Sequence, residues 1–379
     1  MKRFAAFLLA VSLGLTACAG ASVPSPAAED EAASEFSAES AGIPEPPPSP
    51  EPELDNEWRF DVPENHGMDP ELFVRLHTAL EGSAVYAMVT AKDGVIIDEY
   101  YQEGYDESSK CALHSCSKSF TGILTGIAIE QGLIGGPDDL LSDYLPQVLE
   151  LADPRKLQLT LRHLLTHTSG LEGYEWGSGY SNWNEFQSAS NWVEYILGRD
   201  LVAQPGAVFN YSTGNTHLLA AVLEAAVGMS ELEYAKINLF DPLGMESVEW
   251  RTDPQGITDG GNGILMTARD AARFGQVCLE GGIWHDRQII PAQWLEDSTR
   301  VQNPGPGGRT GEYGYQWWIR PFGSGNHRTF YAFGAWGQYI LVVPKLNLVT
   351  VIASRGPQNS YAPLPYFTDY VLEAYQGAA

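Results

Sequence analysis

The chain has 379 residues, 44% of them apolar, 18% charged and 11% aromatic, so it is too long for a small stapled domain and too apolar for a disordered one. Its 22 Lys and Arg stand against 48 Asp and Glu, a formal net charge of −26 that repels phosphate backbones and argues against nucleic-acid binding. Four cysteines cannot staple a body of this size, and no run reaches the roughly 20 apolar residues that a membrane-spanning helix needs.

The first 57 residues differ from the rest. Lys2 and Arg3 precede a mostly apolar run, Phe4 to Leu15, closed by Leu15-Thr16-Ala17-Cys18, the organisation of a secretory signal peptide. Leu-Thr-Ala-Cys resembles the bacterial lipoprotein box. That implies lipidation at Cys18 and a protein of the bacterial cell envelope, extracytoplasmic and lipid-anchored to a membrane. Cleavage at the A-x-A pattern of Ala17-Cys18-Ala19, giving a secreted protein, is the alternative. From Ala19 to Glu57 there are ten acidic residues, eight prolines and no Lys or Arg, the composition of a disordered, extended spacer. With +2 in the signal and −10 in the spacer, residues 58–379 carry −18 of the −26.

The folded part opens with a helix over Asp69 to Leu80 and two strands, Ala84 to Ala91 and Val95 to Tyr101, joined by the hairpin signal Lys92-Asp93-Gly94. Apolar residues at helical spacing from Ser115 to Gln131, with Gly132 as a stop, predict a largely buried helix. Further helices are expected at Thr160–Thr166, Asn191–Leu197, Asn215–Val227, Ser230–Leu239, Thr267–Leu279 and Pro291–Ser298. Strands are expected at Tyr315–Ile319, Arg328–Phe333, Gln338–Val343 and Leu348–Ser354, and a last helix at Tyr366–Tyr375. Strands at both ends with helices between predict one antiparallel sheet made from the two ends of the chain and a helical lobe from the middle, an α+β arrangement.

Ser115-Cys116-Ser117-Lys118 is the one place where a serine stands three residues before any of the seven lysines. Positions i and i+3 share a helix face, so hydroxyl and amine can meet, and a helix start directs free N–H groups and the positive dipole end at a developing oxyanion. For Lys118 to accept a proton from Ser115 it must be neutral part of the time, which burial under the following apolar run would bring about. Taken alone, the same residues also describe an N-capping serine and a surface lysine.

The surrounding sequence adds landmarks in a fixed order. Ser115-Cys116-Ser117-Lys118-Ser119-Phe120-Thr121-Gly122 is followed by Leu164-Leu165-Thr166-His167-Thr168-Ser169-Gly170-Leu171, then Pro205-Gly206 and Phe209-Asn210-Tyr211-Ser212-Thr213. The stretches from Gly263 to Gly275 and from Tyr313 to Trp318 complete the set. Together they resemble the penicillin-binding, class C β-lactamase-like serine hydrolases over roughly residues 66 to 375. The resemblance implies a two-lobed β-lactamase-like α/β fold and an acyl-enzyme mechanism. It implies Ser115 as nucleophile and Lys118 with Tyr211 as general base, and it implies no cofactor.

Two departures narrow the expectation. The family's second motif often reads Tyr-x-Asn, whereas Thr213 stands in the third position and Asn215 two residues later. Its third motif usually carries Lys or His, whereas here the stretch is Gly334-Ala335-Trp336-Gly337-Gln338, with no cation to receive a carboxylate. Aligned by the following strand and Pro344, Gly334 matches the strand glycine and Ala335 the residue whose N–H completes the oxyanion hole. This stretch resembles the esterase and 6-aminohexanoate-dimer hydrolase branch, which implies hydrolysis of a small-molecule ester, amide or peptide. Candidate substrate contacts are Thr213, Asn215, Gly334, Trp336 and Gln338, with Trp176 from the aromatic-rich loop between Gly173 and Trp192. The rival readings are a D,D-peptidase or β-lactamase of the same fold, and a non-catalytic cell-wall binding or sensor protein.

His167 reads as a turn-orienting histidine, and His163 four residues earlier lacks the Glu and third ligand of a metal site, so no metal is expected. Cys111, Cys116 and Cys278 are expected as buried free thiols.

Overall fold

The computed structural model describes residues 56–175, 181–356 and 359–375. Cys18, the spacer to residue 55 and Trp176 lie outside the described residues.

Helix α1 spans Pro70–Leu80 and is capped by Asp69, whose side chain accepts from the Glu71 N–H, with Pro70 supplying the fixed φ of a first turn. Strands β1 (Val85–Lys92) and β2 (Val95–Tyr101) follow. Their turn carries Asp93 at φ 51° and Gly94 at φ 78°, the two positive values that a two-residue hairpin matching strand twist requires. Lys110–Ala112 (β3), Glu249–Trp250 (β4) and Ile264–Thr267 (β5) form a small sheet in the order β3-β5-β4. Ile283–Trp284 (β6) and Arg287–Gln288 (β7) form a hairpin.

Six further strands complete the main sheet: Asn303–Gly307 (β8), Gly311–Tyr313 (β9), Trp318–Phe322 (β10), His327–Gly334 (β11), Gln338–Val343 (β12) and Leu348–Ser354 (β13). The order is β2-β1-β13-β12-β11-β10-β9-β8, and β1 pairs antiparallel with β13, so the two ends of the chain meet at Met88↔Ile352 and Val89↔Val351. Strands β1, β12 and β13 are buried along their whole length because both faces of the sheet are covered. Alternate residues enter two cores: Ile340, Val342, Val349 and Val351 on one face, Tyr339, Leu341, Leu348 and Ile352 on the other. Helix α8 (Ala268–Leu279), capped by Thr267, packs on the first face, and α1 with the C-terminal helical segment covers the second.

Between these ends lie the helices α2 (Ser117–Glu130), α3 (Leu161–Leu165), α4 (Trp183–Ser188), α5 (Trp192–Gly198), α6 (Thr213–Val227), α7 (Glu231–Ala235) and α9 (Ala292–Thr299). Every residue of α2 from Ser117 to Ala128 is buried, because α6 packs on one side and α9 on another. Gly126 makes the second contact possible: a Cβ there would overlap the Trp294 indole, whose Nε1 donates to the Gly122 carbonyl at 2.9 Å. Gly126→Ala is therefore expected to lower the unfolding free energy by about 1–3 kcal/mol despite alanine's better helix propensity, read as a lower midpoint in urea.

Strands β3 to β9 are not among those expected from the sequence, and one expected strand is displaced. The segment expected as a strand at Tyr315–Ile319 becomes regular only from Trp318 to Phe322. Gln316 turns at φ 62° and inserts between α2, α3 and α6. Its N–H bonds the Leu165 carbonyl at 3.1 Å, its carbonyl accepts from Ser119 Oγ at 2.7 Å, and its Oε1 accepts from Thr216 Oγ1 at 2.8 Å.

Candidate active site

Strand β5 fixes the start of α2. The Leu113 N–H donates to the Ile264 carbonyl at 3.1 Å, and the Ile264 N–H donates to Ser117 Oγ, which in turn donates to the His114 carbonyl at 2.6 Å. Ser115 thus lies in a tight 3₁₀ turn, His114–Cys116, just before α2, and not inside its first α turn. His114 itself sits at φ 49°, an uncommon conformation for a side-chain-bearing residue. The end of β11 lies against this turn, because a Cβ at Gly334 would collide with the Leu113 carbonyl oxygen. Only a glycine allows that approach, and it brings Ser115 and Ala335 into the wall of one cavity.

Lys118, one helical turn on, is 1% exposed. Its Nζ lies 3.1 Å from Ser115 Oγ, 2.9 Å from Thr213 Oγ1 and 2.6 Å from the Gly261 carbonyl oxygen. Burial lowers its pKa from 10.5 to about 8, against the opposing pull of Glu175 and Asp259. A neutral amine has two N–H donors and one lone pair. With the Gly261 carbonyl and Thr213 Oγ1 taking the donors, the lone pair faces Ser115.

Tyr211 lies over the same group, with Lys118 Nζ 4.9 Å from its ring centroid, and it lines the same cavity as Ser115. Burial raises the phenol pKa far above its usual 10, so Tyr211 keeps its proton while Lys118 is the group whose proton is loosened. The ring is held by stacking on Trp318 at 5.4 Å and by His167 at 4.6 Å. His167 is fully buried at φ 54°, and burial together with Lys118 lowers its pKa well below the usual value, so it is a neutral packing partner. His163 Nδ1 accepts from the Thr160 N–H at 3.1 Å and closes the start of α3.

Thr213 is buried between Lys118 and Glu175: Glu175 Oε2 accepts from Thr213 Oγ1 at 2.7 Å, and Oε1 accepts from the Thr213 N–H. Burial pushes the Glu175 carboxyl above the usual range, resisted by Lys118 and the Thr213 hydrogen bonds. Nothing in the sequence pattern singled out Glu175. It is an acid in an aromatic loop with no motif around it, and its partner stands 38 residues later.

Ser115 and Tyr211 open into a cavity of about 440 Å³ whose walls include Trp318, Phe333, Tyr361, Pro306 and Thr310, with Gly334 and Ala335 beside the serine. No charged side chain is among its described lining residues. Asn215 is not brought to this cavity: its Oδ1 accepts from Ser169 Oγ at 2.7 Å and its amide faces His167. Gln338 is likewise turned inward, donating to the Ser354 carbonyl at 2.6 Å and bracing β12 against β13. Trp336 stands outside the cavity lining, 46% exposed at φ 66°, edge-on to His114 at 4.8 Å. Of the loop aromatics, Trp192 packs on Phe186 and His217 and enters the helical core, and Tyr174 is exposed. Cys111, Cys116 and Cys278 are buried free thiols.

The family model described as Beta-lactamase matches residues 73–370. The chain belongs to the beta-lactamase family. A 6-aminohexanoate-dimer hydrolase of Paenarthrobacter ureafaciens is 24% identical over 303 residues, covering 74% of this chain and 75% of the relative. Penicillin-binding protein 4* of Bacillus subtilis is 32% identical over 170 residues, covering 41% of this chain and 36% of the relative. A putative 6-aminohexanoate-dimer hydrolase from Bacillus anthracis superposes with TM-score 0.68 at 26% identity, covering 78% of this chain and 80% of that structure. The fold is the serine-hydrolase fold of β-lactamases and penicillin-binding proteins, mixed helices around an antiparallel sheet.

Proposed function

We propose that the protein is a serine hydrolase that cleaves an uncharged ester or amide through an acyl-enzyme on Ser115. The observation that carries this reading is Lys118, fully buried, with a pKa near 8 and its Nζ 3.1 Å from a serine hydroxyl at the mouth of a cavity. Ser115 Oγ attacks the carbonyl carbon while Lys118 takes its proton, and the N–H groups of Ser115 and Ala335 hold the oxyanion. Collapse expels the alcohol or amine, which receives the proton from Lys118 by way of the Tyr211 phenol. Water then enters and gives a proton to Lys118 as it attacks the acyl carbon, and the acyl group leaves as an acid while Ser115 Oγ recovers that proton from Lys118. Relatives named as 6-aminohexanoate-dimer hydrolases support amide or ester cleavage.

The uncharged wall of Trp318, Phe333 and Tyr361 supports a neutral acyl group over the carboxylate-bearing substrates of penicillin-binding enzymes. Short-chain nitrophenyl esters are accordingly expected to be turned over, while a fluorescent penicillin leaves no durable Ser115-dependent label. Durable penicillin acylation, or rapid opening of the β-lactam ring, would move the assignment to the peptidase or β-lactamase reading.

For location we propose an extracytoplasmic protein tethered to a membrane by a lipid on Cys18, with residues 19–57 as a spacer. The signal-like start and Leu15-Thr16-Ala17-Cys18 support this. No helix among the described residues is long and apolar enough to cross a membrane. Feeding cells an alkyne fatty acid should label the wild type and not Cys18→Ser; equal labelling would reject the tether.

A further inference from the structure

We propose that Glu175 is a positioning residue for the base: its carboxylate holds the Thr213 hydroxyl oxygen as an acceptor toward Lys118 and so reserves the lysine lone pair for Ser115. This rests on the reading of Ser115 as nucleophile and Lys118 as its base. A threonine hydroxyl has one proton to give. Thr213 Oγ1 lies 2.9 Å from Lys118 Nζ and 2.7 Å from Glu175 Oε2, so it can donate to one and accept from the other. Against burial, the Lys118 charge and the two bonds accepted from Thr213 favour the carboxylate form, which accepts only, so Thr213 donates to Glu175 and accepts from Lys118. Without that acceptor the hydroxyl can turn and donate to neutral Lys118, occupying the lone pair that Ser115 needs.

Glu175 is itself held in place. Its Oε1 accepts the Thr213 N–H at the start of the 15-residue helix α6, one of the first-turn donors that have no partner within the helix. Glu175 is 9% exposed. The arrangement stands where the family pattern Tyr-x-Asn is broken by Thr213: an amide can donate and accept at once, whereas a hydroxyl needs a second group to set its direction.

Glutamine at this position has the shape of glutamate and the wrong polarity. Whichever way its amide turns, its NH₂ meets either the Thr213 N–H or the hydroxyl proton that the carboxylate accepts. The groups facing Lys118 are Glu175, Asp259, Cys116, Tyr211 and His167. Asp259 is bonded by Arg251 Nε at 2.8 Å, Cys116 and Tyr211 are held protonated by burial, and His167 is neutral. Those facing Glu175 are Lys118, the Thr213 and Ser212 hydroxyls and Tyr211. Glu175→Gln therefore removes one negative charge beside Lys118 and leaves the others in place.

The experiment measures the rate of fluorophosphonate labelling of Ser115 against pH in full-length wild type, Glu175→Gln, Thr213→Val and the double variant, with thermal melts to confirm folding. Glu175→Gln should lower the plateau rate by about 10–100-fold and move the midpoint to lower pH, because the lost charge had favoured protonated lysine. Thr213→Val should lower the plateau similarly without lowering the midpoint, which keeps the proposal testable if Glu175→Gln folds poorly. The double variant should label no more slowly than the slower single variant, since each change breaks the same link. A wild-type plateau and midpoint in Glu175→Gln would overturn the proposal, as would independent losses that multiply in the double variant. If wild type itself is not labelled at Ser115, the proposed function fails and this role falls with it.

Discussion

Ser115→Ala is expected to cut nitrophenyl ester hydrolysis by about 10⁴-fold or more while leaving the melting transition unchanged. Among the described residues that line the cavity, Ser115 is the one whose hydroxyl oxygen lies within hydrogen-bond distance of a buried amine, 3.1 Å from Lys118 Nζ. Its loss removes the covalent route and leaves only binding and the N–H groups of the cavity wall. Stability should not suffer. Ser115 is only half-buried, and Lys118 retains the Gly261 carbonyl and Thr213 Oγ1 as acceptors. Steady-state rates beside circular dichroism melts separate the two effects; substantial residual turnover in a well-folded Ser115→Ala protein would place the nucleophile elsewhere.

Lys118→Met and Lys118→Arg should each lose about 10³-fold in kcat/KM, and the arginine variant is the informative one. Arginine restores positive charge beside Ser115 and cannot give up its proton at any accessible pH, so it cannot act as a base. If Lys118 only stabilised negative charge, arginine would recover much of the rate. Methionine fills a similar volume without charge and controls for packing around a side chain that is 1% exposed. The pH profile gives the sign independently. Burial disfavours the ammonium, so the lysine pKa falls to about 8. Below that pH the lysine is protonated and has no lone pair to offer; above it the amine is neutral and the base is active. Wild-type acylation should therefore rise through about pH 8, and Lys118→Met should lose that inflection.

Much of this was legible in the sequence where the determining contacts are local. Asp93-Gly94 specifies a turn with two positive φ values, and the apolar runs Gln338–Val343 and Leu348–Ser354 are strands covered on both faces. Ser115 and Lys118 are three residues apart, and the 3₁₀ turn leading into α2 brings them together. Contacts between distant segments were not legible. Gln316 is an ordinary residue in an apolar run until its side chain is seen to bond α3 and α6, and that insertion delays β10 by three residues. The acceptor at Gly261 is a backbone carbonyl, and Glu175 meets Thr213 from a loop without periodic pattern. Asn215 follows Thr213 by two, and on a helix i and i+2 point away from each other. Thr213 therefore reaches Lys118 while Asn215 faces Ser169 and His167.

The proposed chemistry requires that Ser115 be a nucleophile activated by Lys118. Labelling the full-length protein with a fluorophosphonate and sequencing the modified peptide by mass spectrometry tests it most directly. A single adduct is expected on Ser115, forming faster as pH rises through about 8 and nearly absent in Lys118→Arg. An adduct on another residue, or unchanged labelling of Ser115 in Lys118→Arg, would contradict it.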